Sequence, residues 1–171
     1  SAKFKSLLES EAEYILAFGG RGGGKTYHIE LKLLLKSFDK NYCKIVYVNK
    51  VFKNIRDAQY SSLKKVAKNL GLYDYFRFYD GDYRIQNKVT GIWFIPKGMD
   101  DSENTKALDD PTIVWWDEIT NGTLDDFFAL NNLLRTPNAK LQFIASFNPV
   151  NDEHWVRYIF FDEFDKYAPN T

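Results

Sequence analysis

Gly19-Gly20-Arg21-Gly22-Gly23-Gly24-Lys25-Thr26 decides the fold of this chain. It fits G-x-x-x-x-G-K-[ST] at every fixed position. Glycines adopt positive φ without a Cβ penalty and let backbone N–H groups approach phosphate oxygens. A helix opening directly after the loop aims its positive end at the same anion. In this pattern Lys25 reaches the β- and γ-phosphates and the Thr26 hydroxyl is a ligand for Mg²⁺. Arg21, inside the loop, either reaches the γ-phosphate or is a solvated loop residue, and position does not choose between them. The plain alternative is a chance glycine-rich turn. From average residue frequencies that accident is expected less than about once in a hundred chains of this length.

The flanks agree with the pattern. Tyr14-Ile-Leu-Ala-Phe18 is a short apolar run that predicts a buried strand leading into the loop. Lys25 to Phe38 carries Ile29, Leu33 and Leu34 at helical spacing, so a helix follows it. Further out, Lys44–Val48, Thr112–Trp116 and Leu141–Ala145 read as buried strands. Ile55–Leu70 and Thr123–Leu134 read as helices, the second opened by a Thr123/Asp126 capping box and the first closed by Gly71. Asp152–Phe161 also looks helical. Phe76–Tyr79 and Tyr83–Ile85 flank Asp80-Gly81-Asp82, a hairpin signal, and Ile92–Ile95 follows and is expected to stop at Pro96. The expected fold is therefore α/β: a mainly parallel central sheet flanked by helices, with an antiparallel insertion around residues 75–96. Ligands of such sheets bind at the carboxyl ends of the strands.

Two more strand ends are polar. Thr112–Trp116 runs into Asp117-Glu118, where Asp117 would hold Mg²⁺ and Glu118 would orient and deprotonate an attacking water. By itself an Asp-Glu strand end is also a plain polar terminus or a helix cap. The glycine loop upstream favours the metal-site reading. Leu141–Ala145 runs into Ser146-Phe147-Asn148-Pro149, which places two hydrogen-bonding side chains beside the acids. The alternative there is an ordinary Asn-Pro turn. A guanine-reading Asn-Lys-x-Asp is absent, because Asn49-Lys50 continues as Val51-Phe52. The expected substrate is ATP.

Composition narrows the class. The 171 residues fit one domain, and a formal net charge of +0 leaves a nucleic-acid partner to be argued from local patches. The single cysteine, Cys43, excludes an internal disulfide or cysteine metal site, and no apolar run reaches the roughly 18 residues a membrane helix needs. The amino-terminal residues carry no signal-peptide pattern, Ser1-Ala2 fits a cloning remnant, and a cytoplasmic protein is expected. Lys50, Lys53, Arg56, Lys64, Lys65 and Lys68, against Asp57, form a basic stretch: either a DNA phosphate contact or a solvated helix face.

In order and spacing, the three elements resemble the ATPase domain of the large terminase subunit, the DNA-packaging motor of tailed double-stranded-DNA bacteriophages. Gly19 to Thr26 resembles that family's arginine-containing phosphate loop, Ile113 to Glu118 its acid strand, and Ser146 to Pro149 its coupling motif. Ile92–Leu108 and His154–Phe161 match more weakly. The resemblance implies a P-loop ATPase of the additional-strand catalytic-glutamate type. It puts phosphate on Gly19, Gly20, Arg21, Gly22, Gly23, Gly24, Lys25 and Thr26, and Mg²⁺ on Thr26 and Asp117. Glu118 becomes the catalytic base, with Lys25 and Arg21 assisting, and Ser146 and Asn148 the coupling residues. It further implies double-stranded DNA, the portal protein and the small terminase subunit as partners. The motor would be a homo-oligomeric ring in the host cytoplasm, transiently at the procapsid portal vertex, with no membrane. An arginine from a neighbour would complete the site, Arg84, Arg135 and Arg157 being candidates, and the isolated domain would be a monomer of feeble activity. The family's nuclease domain has no counterpart in these residues, so the chain reads as a single ATPase domain, 1–171, with its carboxyl-terminal lid truncated. No adenine-contacting glutamine stands out, and Tyr14 and Phe18 are candidate stacking residues. Other P-loop motors, helicase or repair ATPase, and a non-hydrolysing nucleotide-binding module are the alternatives.

Overall fold

Ile113-Val-Trp-Trp-Asp117 shows how the chain organises itself. Ile113 and Trp115 enter one apolar layer and Val114 and Trp116 the other, all fully buried. A strand apolar on both faces must lie between two layers of helices. In the computed structural model, which describes residues 4–20, 22–41, 44–100, 108–148 and 154–162, that is where it lies. Cys43 and Pro149 fall outside the described residues.

Seven strands form one sheet in the order β1-β7-β6-β2-β5-β4-β3. They are β1 (Tyr14–Phe18), β2 (Lys44–Asn49), β3 (Phe76–Phe78), β4 (Ile85–Asn87), β5 (Trp93–Gly98), β6 (Ile113–Asp117) and β7 (Gln142–Phe147). From β1 to β5 every neighbouring pair is parallel, so the tips of β1, β6 and β7 emerge on the same side. The strand carrying Ser146 is inserted between the loop strand and the acid strand. On one face α2 (Lys25–Lys36) and α3 (Ser61–Asn69) bury Ile29, Leu33, Leu34, Leu63, Val66 and Ala67. On the other, α4 (Leu124–Asn131) and the short α5 (Trp155–Arg157) contribute Phe127, Leu130 and Val156. Each of these side chains other than Ala67, fully buried, is worth about 1.5–3 kcal/mol. Among the described residues no helix is long and apolar enough to cross a membrane.

The sequence reading needs three adjustments. β5 does not stop at Pro96 but continues to Gly98, pairing in parallel with β2. β4 reaches only Trp93 and Phe94, so at Pro96 the strand has a partner on one side, where a missing N–H is tolerated. Among the described strands only β4 runs against the rest, pairing antiparallel with β3 on one side and β5 on the other. The helix expected from Ile55 begins instead as a π-helical turn, Arg56–Tyr60, and becomes α-helical at Ser61. Its end is as expected: Gly71 has φ 69°, and Leu72 N–H donates to Ala67 O and Gly71 N–H to Lys68 O. The helix expected to run to Leu134 is shorter, although its Thr123/Asp126 capping box is complete.

The amino-terminal helix α1 (Lys5–Glu9) buries none of its own residues. It is held by Lys32 of α2, 2% exposed, whose Nζ donates to the carbonyls of Leu7, Leu8 and Ser10 at 3.1, 3.1 and 2.6 Å. Those are the carbonyls that a helix end leaves without partners.

Candidate functional site

The loop after β1 uses its glycines. Gly19, Gly22 and Gly24 have φ of 146°, 73° and 81°, which residues with a Cβ rarely adopt. Gly24 caps α2, whose first turn has no side-chain cap and no acidic residue. The amide hydrogens of that turn are therefore open to an anion from outside the helix. Arg21 lies outside the described residues.

Lys25 turns back over the loop, its Nζ donating to Gly19 O at 2.7 Å, Gly20 O at 3.0 Å and Asn148 Oδ1 at 3.3 Å. Asn148 uses its other end as well: Nδ2 donates to Glu118 Oε1 at 2.9 Å. One amide thus bridges the loop cation and the second acid. One register step back, Ser146 pairs with Asp117, and its Oγ donates to Asp117 Oδ1 at 2.5 Å. Burial pushes the Asp117 carboxyl above its ordinary value; the Ser146 hydrogen bond opposes this, the Glu118 charge adds to it and the Lys25 charge opposes it. Glu118 itself is left-handed, φ 55° and ψ 55°, at the start of a single 3₁₀ turn, Ile119–Asn121.

These side chains enclose a polar cavity of about 340 Å³ lined by Gly22, Lys25, Thr26, Glu118, Asn121 and Asn148. The residue types fit a hard divalent cation: a hydroxyl at Thr26, which lines this cavity, and a half-buried carboxyl at Asp117, which lines the neighbouring one. Among the described residues no cluster of three His, Cys, Asp or Glu side chains forms a metal cage. Mg²⁺ is ordinarily held by one or two protein oxygens together with substrate phosphates. A second polar cavity, about 470 Å³, lies beyond Glu118 and is lined by Asn49, Asn54, Asp57, Asp117, Glu118 and Asn121.

Sequence reasoning missed two polar residues here. Asn121 lines both cavities. Glu30, one helical turn after Thr26, is fully buried; Ser62 Oγ donates to its Oε2 at 2.7 Å, and Oε1 meets no donor among the described residues. Burial first, and then the Asp117 charge, push the Glu30 carboxyl up to about 8 against the opposing Ser62 hydrogen bond. The signal was present: an acid beside Ile29 on the apolar face of α2.

Other candidates are placed as follows. Tyr14 and Phe18 line a cavity of about 400 Å³ with Phe4, Leu7 and Lys25, but the Tyr14 hydroxyl is engaged, donating to Asn131 Oδ1 at 3.0 Å. Phe18 is 57% exposed and stacks on Phe147. Arg84 is held by Asp82 over the rings of Tyr79 and Trp93, Arg157 lies 3.6 Å from Asp162, and Arg135 is exposed beyond α4. Half of the basic stretch is paired: Lys50 with Asp126 at 3.1 Å, Arg56 with Asp57 at 2.9 Å and Lys64 with Asp80 at 2.9 Å.

Residues 11–171 match the family model described as phage terminase large subunit. The PBSX phage terminase large subunit of Bacillus subtilis (strain 168) is 30% identical over 158 residues, which cover 91% of this chain and 36% of that protein. This chain therefore spans about a third of that relative. Among solved structures, the large terminase from a thermophilic bacteriophage superposes with a TM-score of 0.81 at 16% identity, covering 97% of this chain and 43% of that one. The N-terminal domain of the DNA packaging ATPase of bacteriophage phi29 gives a TM-score of 0.64 at 17% identity, covering 98% and 86%. The Thermus phage P74-26 large terminase ATPase domain gives 0.59 at 14% identity, covering 99% and 94%. At these identities the structures establish a shared fold.

Proposed function

The chain belongs to the phage terminase large subunit family, and from that premise we propose that it binds ATP and hydrolyses it with Mg²⁺ to drive double-stranded viral DNA into a procapsid. The observation that carries this reading is the convergence of Lys25, Asp117, Glu118 and Asn148, from three strand tips, on the uncapped amino terminus of α2.

The positions of the described residues support these roles. The amides of Gly22, Gly23 and Gly24 and the first turn of α2 take the phosphates, and the resemblance to the family's loop adds Arg21 as a further γ-phosphate contact. Lys25 exchanges the carbonyls of Gly19 and Gly20 for the β- and γ-phosphates. Thr26 and Asp117 would hold Mg²⁺, which when bound neutralises charge on the phosphate oxygens. Glu118 accepts a proton from water as the water oxygen bonds to the γ-phosphorus and the bond from that phosphorus to ADP breaks. When Lys25 moves to phosphate, Asn148 loses its bond to the ammonium and keeps its bond to Glu118, so occupancy is felt at the base. Ser146 holds Asp117 in place. We assign the chain to a single ATPase domain and propose no nuclease activity for it. Its partners would be the portal protein, the small subunit and further copies of itself in a ring at the portal vertex. A neighbour's arginine would raise turnover by roughly 10³ to 10⁵.

Glu118→Gln tests the reading. Loss of a general base should slow ATP hydrolysis by about 10²- to 10⁴-fold, while ATP affinity stays near that of the unaltered chain. An unchanged rate would remove Glu118 from the chemistry.

A further inference from the structure

On leaving β7 the chain meets the Glu118 loop twice. The first meeting is Asn148 on the carboxylate. The second involves the backbone that follows Glu118. His154 Nδ1 accepts the amide hydrogen of Val156 at 3.3 Å, so the ring proton sits on Nε2, which donates to Thr120 O at 3.1 Å. The neighbouring Trp155 donates its indole N–H to Gly122 O at 2.9 Å. Both acceptors belong to the turn that Glu118 opens.

That turn has little room to shift. A Cβ on Gly122 would collide with Cζ2 and Cη2 of Trp116, so the Gly122 backbone lies directly against the indole of the acid strand. Its carbonyl is held from elsewhere by Trp155, whose own ring packs 5.9 Å from Phe127 of α4. Val156, next in the chain, is fully buried and fixes the base of the clamp. Glu118, meanwhile, has a left-handed backbone that a residue with a Cβ does not favour, so its orientation depends on what holds the turn.

We propose that His154 and Trp155 are positioning residues for Glu118: by holding the carbonyls of Thr120 and Gly122 they fix the direction in which the carboxylate points. The proposal rests on Glu118 being the base. It makes the segment that follows the coupling strand a second lever on the same residue, acting on the backbone where Asn148 acts on the side chain.

The test uses the full chain in single-turnover ATP hydrolysis with protein in excess, together with binding of a non-hydrolysable ATP analogue and amide hydrogen exchange over residues 119–122. Trp155→Phe keeps the aromatic packing and removes only the N–H. His154→Gln keeps a donor that His154→Ala lacks. Losing one such hydrogen bond should slow hydrolysis about 2- to 10-fold, with analogue affinity unchanged and exchange in the turn faster. His154→Gln should recover most of what His154→Ala loses. The proposal is overturned if Trp155→Phe and His154→Ala hydrolyse ATP like the unaltered chain, or if affinity falls in step with hydrolysis. It is overturned equally if exchange in the turn does not change. Glu118→Gln run alongside separates the two failures. If it leaves hydrolysis untouched the base assignment fails; if it abolishes hydrolysis while the other variants do nothing, only the clamp fails.

Discussion

The tips of β1, β6 and β7 and the stretch from Lys50 to Lys68 are both rich in charge, and the fold treats them in opposite ways. At the tips, groups distant in sequence converge: Lys25, Asn148 and Glu118 form one connected chain of hydrogen bonds, and Ser146 closes on Asp117. Along the basic stretch the charges disperse, three of the six cations finding carboxylates of their own. Exposed pairs of that kind contribute about 0–1 kcal/mol. Charge density in a sequence therefore says little until the partners are known. Convergence on strand ends is the more informative property.

The sharpest way to break this contrast is Lys25→Ala. If the tips are the phosphate site, losing charge-assisted hydrogen bonds should weaken ATP binding by about 10- to 100-fold in calorimetric titration. Undiminished affinity would reduce the tips to ordinary polar strand ends. Next in size is Gly122→Ala, which forces a methyl into the Trp116 ring and should destabilise the chain by about 1–3 kcal/mol in denaturant unfolding. Gly81→Ala, in the hairpin where a Cβ meets nothing, should stay within about 0.5 kcal/mol. Similar losses at both would show that the tips are no more tightly built than the insertion.

Glu30→Gln sharpens the picture beneath the tips. With its carboxyl raised from the ordinary 4.5 to about 8, the folded chain keeps a proton there that the unfolded chain has released. Stability from this group is thus present below about pH 4.5 and is lost as pH rises to about 8. The Gln variant should match the unaltered chain near pH 4.5 and melt higher above pH 8. A pH-independent difference would contradict the assignment. The smallest effect belongs to the basic side. Replacing Lys53, Lys65 and Lys68 together by Gln should leave hydrolysis unchanged. If the three touch DNA phosphates, the salt dependence of DNA binding should flatten by about one unit of slope per lost contact. An unaltered slope would make the stretch a solvated face.

Most of the architecture was legible because the buried strands are continuous apolar runs and α3 and α4 carry their own stop or start signals. Gly71 and the Thr123/Asp126 box are cases where a local rule decided a local outcome. The convergence of the candidate site was legible wherever a residue type at a strand end has few other uses, as at Lys25, Asp117 and Glu118. What escaped was whatever depends on a partner distant in sequence. Pro96 reads as a stop because a proline cannot donate, but the strand beside it on one side had already ended. Lys64 reads as solvated because Asp80 is 16 residues away. The π-helical turn at Arg56–Tyr60 carries no residue pattern distinct from a helix. Glu30 was passed over because helical periodicity counts apolar positions and ignores an acid among them.

The attachment of α1 has a consequence of its own. None of its side chains is fully buried, although Leu7 packs against the core, and its carboxyl end is gathered by a nitrogen whose three hydrogens are all committed to carbonyls. A guanidinium is flat and would not point three donors at one tripod of oxygens, and a neutral aliphatic chain would take this donor from Leu7 and Leu8 and leave Ser10 O to Gln142 alone. The seating of the amino-terminal wall of the cavity beside Lys25 thus depends on one lysine together with Leu7 and Gln142.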